Sequence, residues 1–454
     1  MDLDRDGYSV LSEDQALRGV PGTYVNSVNL KTSAGPPFNS NKRGFVQLTE
    51  EDSSMDPKIW DMCDEIEDIL LSGDVPSVLG LCTLKDEAVK PGKMPRVFIC
   101  LPMAMNLVAK KYGSAWKSFT RAHLQFFESC VGINMTSTDS NKVLSILRSI
   151  DPSLTRVYDG DIKAMDKSWS PTIWHFVSML IYGISWAIGV APKVNYLLAK
   201  AFHQVLYCCK NDLFRSFFNP SGGDSTVELN GLALSLGERY VYYRTQGFKG
   251  DVSKVNKWFA EFFENPVPDF SGLDFRDNVA LVHYGDDNLK TMRHQPGPDY
   301  LRVWKEEYGM TMTPADKTLK ELVGRGISEV SFLKRTFVYD DEFGFYLPRL
   351  DPKSIVRMIT MKHSDMSAND HACCVLNDAQ REMVYYGEEK FEEFMSTAKR
   401  AVEALGLAEN GYLRFEPYAH WRAQVAENTF ITWAPRELRL PVFEDGDSLS
   451  FRKQ

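Results

Sequence analysis

Two acidic pairs in this 454-residue chain have the residue types and spacing for metal-assisted chemistry. Asp161 and Asp166 lie in Asp161-Ile-Lys-Ala-Met-Asp166, and Asp286 with Asp287 in Tyr284-Gly-Asp-Asp287. Carboxylates at a strand end and at a hairpin tip can converge on divalent cations. Mg²⁺ keeps several waters and binds through one or two carboxylates plus substrate phosphates, so two or three aspartates suffice. Two such ions, roughly 3.5–4 Å apart, would stabilise the attacking and leaving oxygens of a phosphoryl transfer. Taken alone, an Asp-Asp hairpin turn is ordinarily only a turn. Two further segments add binding groups. Pro220-Ser-Gly-Gly-Asp-Ser-Thr-Val-Glu-Leu-Asn230 offers Ser221, Thr226 and Asn230 for hydrogen bonding a sugar or base. The stretch from Lys85 to Arg96 carries Lys90 and Lys93 as well, and its cations could neutralise a triphosphate.

These residues need elements to hold them. Thr155–Gly160 reads as extended, which puts Asp161 at a strand end and Asp166 one loop later, facing the same space. Residues 279–293 read as two strands around the Gly-Asp-Asp-Asn turn. Residues 225–244 read as a helix with Leu229, Leu232, Ala233, Leu236 and Tyr240 on one face, and Ser225 with Glu228 forms a capping-box pattern at its start. Residues 168–192 carry no charge and approach the length of a membrane span. Ser170-Pro171 is a helix-start signal, and two serines, a histidine and two glycines interrupt the stretch, so a buried helix or helical pair is expected. From about 352 the chain turns helical, as over 378–405. Pro/Gly/Asn clusters at 34–44, 219–224, 265–272 and 294–298 read as loops. Helices mixed with a few antiparallel strands indicate an α+β protein, multi-lobed but continuous.

The net charge of −9, with 44% apolar and 25% charged residues, excludes a disordered chain. An acidic total would ordinarily speak against a nucleic-acid partner, but the charge is unevenly spread. Residues 1–84 carry a net −9, whereas 85–121 hold eight cations against Asp86 and Glu87. A local basic block suits a protein that handles anions in one place. The eight cysteines form no CxxC pair and read as reduced thiols of an intracellular protein. His371 beside Cys373 and Cys374 is a weak zinc pattern, and the acidic N-terminus lacks the apolar core of a signal peptide.

Read in order, the basic stretch, the DxxxxD pair, Ser221-Gly222-xxx-Thr226-xxx-Asn230, Tyr-Gly-Asp-Asp, Thr313-Pro-Ala-Asp-Lys317 and Ser331-Phe-Leu-Lys-Arg335 form a series. Lys31-Thr-Ser-Ala-Gly-Pro-Pro-Phe38 precedes it. The set resembles the RNA-dependent RNA polymerases of positive-strand RNA viruses, most closely the picornavirus-like supergroup. The resemblance implies a right-hand fold with an antiparallel palm sheet and a closed fingers–thumb ring. Fingers would span 1–150, palm 151–200, a return to the fingers 201–220, palm 221–350 and thumb 351–454. It implies Asp161, Asp286 and Asp287 as ligands of two Mg²⁺ ions, with Mn²⁺ able to substitute. Asp166 and Asn230, helped by Ser221, Gly222 and Thr226, would recognise the ribose hydroxyls of an incoming NTP. Lys85, Lys90, Lys93 and Arg96 would hold its triphosphate, and Lys317 would protonate departing pyrophosphate. Thr32, Ser33, Ala34 and Gly35 would guide the template RNA, and Phe332, Leu333, Lys334 and Arg335 would grip the primer RNA. The partners implied are template, primer, NTPs, a genome-linked protein primer and other viral replication proteins. The expected location is the host cytoplasm, at membrane-associated replication complexes, with no transmembrane segment in the chain itself. The basic stretch is shorter than the picornaviral form, and 245–278 reads as an insertion, both marks of a divergent member. A reverse transcriptase and a catalytically silent RNA-binding scaffold are the rival readings. Asn230 at the sugar-selecting position favours ribonucleotides, and the intact acids disfavour the scaffold.

Overall fold

The computed structural model describes residues 8–427 apart from 50–51, 86, 88, 90–91, 93, 248–274, 362–366 and 408–412. Lys90, Lys93, most of the 245–278 insertion, the 265–272 loop and the C-terminal end of the 351–454 segment therefore lie outside the described residues.

The chain opens with α1 (Glu13–Arg18), the hairpin β1 (Val46–Leu48) and β2 (Ser53–Met55), and α2 (Pro57–Ser72). Asp56 caps α2 by accepting from the Lys58 amide, Pro57 fits its first turn, and Gly73 closes it in the left-handed region. Strands β3 (Leu79–Leu84) and β4 (Val97–Cys100) follow, then α3 (Met103–Ala122), α4 (Leu124–Phe127), α5 (Ser140–Arg148) and β5 (Val157–Ile162). Next come α6 (Pro171–Ala187), α7 (Pro192–His203) and the hairpin β6 (Leu206–Cys209)–β7 (Asp212–Arg215). This hairpin returns to the earlier strands, β6 pairing parallel with β3 to give the order β4-β3-β6-β7. Helix α8 (Thr226–Tyr242) leads through α9 (Phe275–Asn278) to the hairpin β8 (Val279–Tyr284)–β9 (Asp287–Met292), then α10 (Tyr300–Val303) and β10 (Met312–Pro314). A last hairpin, β11 (Arg335–Asp340) and β12 (Phe345–Leu350), precedes α11 (Pro352–Thr360), α12 (Ala368–Met383), α13 (Glu388–Ala404) and α14 (Tyr418–Ala426).

The central sheet has the order β10-β5-β9-β8, all neighbours antiparallel. Both of its faces are covered. Tyr158, Leu281 and Met292 join the large core shared with α3, α6, α7 and α8, whereas Val157, Val282 and Leu289 pack below against α5 and Phe332 and Phe337. The period-2 alternation of side chains produces this split. A sheet buried on both faces leaves strand ends and turns as the places where charge can meet solvent.

The uncharged 168–192 stretch forms α6, started by Ser170 accepting from the Ile173 amide at 3.3 Å. The helix buries one face through Ile173, Trp174, Val177 and Ile181 and leaves Trp186 exposed. No helix of the described residues is long and apolar enough to cross a membrane. Two expectations are corrected. Ser225 makes no side-chain cap on α8, and Glu228 ion-pairs with Arg121 of α3 instead of closing a capping box. The 378–405 helix is two helices, broken at Gly387 with φ +89°. The eight cysteines form no disulfide, and Cys373 is buried in an apolar cluster with Leu376 and Val402.

Candidate active site

Strand β5 delivers Asp161 beside the tip of the β8–β9 hairpin. Gly160 is opposite Asn288 on β9, and Asp161 is opposite Thr313 on β10. The hairpin turns in two residues, Gly285 and Asp286, between paired Tyr284 and Asp287. Gly285 supplies the φ of +64° that such a turn needs at its first central position, where a side chain would be strained. Asp161, Asp286 and Asp287 thus come to one edge of the sheet although more than 120 residues separate them in the chain.

Lys317, just after β10, donates to Asp161 Oδ2 at 2.5 Å and to Thr313 Oγ1 at 2.7 Å. The carboxylates are crowded. Loss of hydration raises the Asp286 carboxyl, and the charges of Asp161 and Asp166 raise it further. Burial and then the charge of Asp286 push Asp287 up to about 6, against the opposing influence of Lys334. Among the described residues no three acidic, histidine or cysteine side chains form a ready-made cage for an ion. The donor set nonetheless fits Mg²⁺, which needs few protein oxygens when phosphates and water complete its shell. The partly dehydrated, mutually repelling Asp286 and Asp287 carboxylates gain from such a cation.

One turn further, Asp166 and Asn230 meet. Asn230 Nδ2 donates to Asp166 Oδ1 at 2.7 Å, and Asn230 Oδ1 accepts from Trp169 Nε1 at 3.1 Å and Asn219 Nδ2 at 2.9 Å. Those two donors fix which way the amide faces. Burial raises the Asp166 carboxyl, while the Asn230 bond and the charge of Arg96 oppose this. The hydroxyls of Ser221 and Thr226 hold the loop: Ser221 Oγ accepts from the Ile99 amide at 3.1 Å, and Thr226 Oγ1 donates to Pro220 O at 2.8 Å. Gly222 is required by close approach, since a Cβ there would lie 2.1 Å from Ile99 O.

The remaining expected residues divide. Arg96 lies within the influence of Asp166 and Asp286 but is ion-paired with Glu87 of the same stretch, and Lys85 is exposed. Thr32 and Ser33 are exposed, whereas Ala34 and Gly35 are buried and pin the loop to α3 through Met103 N donating to Ala34 O at 2.8 Å. Phe332 is core, and Arg335 is a buried partner of Glu382 on α12 at 2.6 Å. Between them Leu333 and Lys334 make a left-handed turn, with Lys334 exposed.

Some supports were not evident from sequence. Lys290 of β9, Glu238 of α8 and Tyr300 of α10 form a fully buried polar triad, joining the hairpin to the helix that carries Asn230. Asp159, two residues before Asp161, accepts two bonds from Arg325 at 2.8 and 2.9 Å. The available signal was a charged residue in the middle of each strand, Asp159 in β5 and Lys290 in β9, which in a buried strand requires a partner.

Acids at a strand end and hairpin tip of an antiparallel sheet, with Asn230 of a neighbouring helix bonded to Asp166 beside them, are the arrangement of a right-hand polymerase. The family described as viral RNA-dependent RNA polymerase matches residues 9–397, and the chain belongs to that family. The RNA1 polyprotein of Cowpea mosaic virus is 27% identical over 74% of this chain. The replicase polyprotein of Drosophila C virus is 23% identical over 90%, and the genome polyprotein of human hepatitis A virus is 24% identical over 93%. The chain spans only 18–24% of the length of these polyproteins. A solved structure, the Sicinivirus 3Dpol RNA dependent RNA polymerase, shares the fold with a TM-score of 0.69 at 17% identity, covering 92% of this chain and 82% of that one. The family is one of divalent-metal-dependent polymerases.

Proposed function

We propose that this chain copies an RNA template by joining NTPs to an RNA 3′-hydroxyl, with release of pyrophosphate, as part of viral genome replication. The observation that carries the reading is the convergence of Asp161, Asp286 and Asp287 at one sheet edge with Lys317 in contact. Asp161 and Asp286 would hold two Mg²⁺ ions, or Mn²⁺ in their place, with Asp287 beside them. When bound, the ions would lower the charge barrier at the α-phosphate and at both exchanging oxygens. The protein's own share is positioning and electrostatics. Asn230 holds Asp166 oriented toward the ribose, whose 2′-hydroxyl both donates and accepts. Gly222 lets the loop lie against β4, and the Ser221 and Thr226 hydroxyls keep the shape of the loop that borders the sugar site. Arg96, released from Glu87, would pair with the triphosphate alongside Lys85, Lys90 and Lys93. Lys317, held at the site by Asp161 and Thr313, would deliver a proton to pyrophosphate. Thr32 and Ser33 would meet template RNA. Contact with primer RNA falls to Leu333 and Lys334, since Phe332 and Arg335 anchor their turn.

On this reading residues 1–150 and 201–220 are fingers, 151–200 and 221–350 palm, and 351–454 thumb, with fingers and thumb closing a ring. A genome-linked protein primer and other replication proteins would be its partners, at membrane-associated complexes in the host cytoplasm. A homopolymer-templated extension assay, with and without primer and with NTP or dNTP, tests the reading. Asp286→Ala should abolish extension in Mg²⁺ while RNA affinity stays within a few-fold. Undiminished incorporation by that variant would refute the assignment.

A further inference from the structure

Away from the acidic cluster, α3, residues 24–29 and the 222–224 loop enclose a cavity of about 340 Å³. Its wall carries Lys42, Lys110, Lys117 and Arg121 against a single carboxylate, Asp224. Lys117 is buried and ion-paired with Asp224. Arg121 is neutralised by Glu228, with its Nε buried and without a hydrogen-bond partner among the described residues. The other two cations donate hydrogen bonds only to neutral groups, and Asp224 attracts both from beyond ion-pair distance. Lys110 Nζ donates to Ala16 O and Asn26 O, each at 2.6 Å, and Lys42 Nζ donates to Thr32 Oγ1 at 2.7 Å. Among the described residues neither lysine has a carboxylate within ion-pair distance. Burial pushes Lys110 down to about 8 against the attraction of Asp224, so this ammonium has lost water without gaining an ion pair of its own. Surplus, partly dehydrated cations around a cavity are complementary to an anionic group.

Asp224 is the one anion already seated there, and it belongs to the Ser221–Asn230 segment. Its amide donates to Asn106 Oδ1 at 3.1 Å, and Asn106 Nδ2 donates to Gly222 O at 3.1 Å, so this loop is docked on α3. The cavity also adjoins Thr32 through Lys42, and the Tyr24 ring lies 5.4 Å from the Arg121 guanidinium on its wall. Cations with an aromatic face beside them suit a polynucleotide strand better than an isolated ion.

We propose that Asp224 is an internal stand-in for a backbone phosphate of single-stranded RNA. The phosphate enters beside Lys42 and Lys110 and takes Lys117 from Asp224, so RNA seating and the Lys117–Asp224 tie are mutually exclusive. One charge-assisted contact replaces another at Lys117, and the 221–230 loop loses one of its ties to α3 each time the strand is seated. The proposal rests on the RNA-polymerase reading for its ligand, but it concerns binding, not the chemical step.

Fluorescence anisotropy with a short labelled single-stranded homopolymer RNA, on the full chain without NTP, tests it. Asp224→Asn should tighten binding about five- to ten-fold at about 0.1 M salt, the size expected for freeing one partly buried cation. Lys117→Gln should weaken binding, and in that background Asp224→Asn should change affinity by less than about two-fold. Unchanged or weaker binding by Asp224→Asn overturns the proposal, as does a gain that persists without Lys117, which would be loss of bulk negative charge. Asp224→Ser gives the same comparison if the asparagine variant does not fold. Wild-type primer extension is read alongside. Extension without the affinity gain sinks this proposal alone, whereas the gain without extension sinks the polymerase reading alone.

Discussion

Replacing Asp287 by Asn should stabilise the cation-free protein while impairing its chemistry. Burial and the neighbouring Asp286 carboxylate push Asp287 from an ordinary value of 3.8 up to about 6. Each unit is worth about 1.4 kcal/mol, so the ionised side chain costs the folded state at most about 3 kcal/mol. Part of that is shared with Asp286, which leaves about 1–3 kcal/mol to recover. The sign follows from the folded value lying above the unfolded one. The folded state holds the proton more tightly, so stability is fully present below about pH 4, declines as pH rises to about 6, and carries the whole penalty above it. Asparagine removes the charge at every pH, so the variant should match wild type near pH 4 and exceed it at pH 7.5. With an unfolding entropy of about 2.1 cal/mol/K per residue, the gain amounts to a Tm rise of about 1–3 °C for the whole chain. Thermal melts in chelator at pH 4.5 and 7.5 measure it. A lower Tm for the variant at pH 7.5, or an equal gain at both pH values, would refute the account of a like-charge, desolvated cluster. Added Mg²⁺ should then raise the Tm of wild type more than that of the variant, because the cation relieves the same repulsion.

Three other outcomes follow from contacts described above. Asn230→Ala leaves Asp166, Trp169 Nε1 and Asn219 Nδ2 short of a partner, and should lower the preference for ATP over dATP in kcat/KM by about ten- to a hundred-fold. Lys317→Leu should slow single-nucleotide incorporation by about 10²- to 10³-fold with little change in RNA affinity, as for loss of a positioned acid; an unchanged rate would remove Lys317 from the chemistry. Glu238→Ala strands the fully buried Lys290 ammonium and should cost about 3–5 kcal/mol in denaturant unfolding, whereas the paired Glu238→Leu/Lys290→Met change should recover most of it.

The elements nearest the site were legible because their signals are local. The apolar run 279–282 followed by the Gly-Asp-Asp-Asn turn specifies a hairpin, and Ser170-Pro171 specifies the start of a helix. Apolar spacing specifies α8, yet the cap assigned to it failed, because Glu228 is claimed by Arg121 from a distant helix. The break at Gly387 was likewise lost in a run of good helix formers, where a single glycine is a weak stop signal.

The sequence by itself determined which groups carry charge and hydroxyls, their order along the chain, and so the family to which the chain belongs. Even the basic block of residues 85–121 was visible as a surplus over an acidic background. Only the tertiary structure decided which groups meet. It placed Lys317 on Asp161, turned Arg335 inward to Glu382, and set Lys117 against Asp224 across a cationic cavity. Spacing along a chain fixes faces and turns within about one element. Pairing across 47 to 156 residues, as in these three, depends on sheet order and helix packing, and those also decide which charges lose their water and must find a partner.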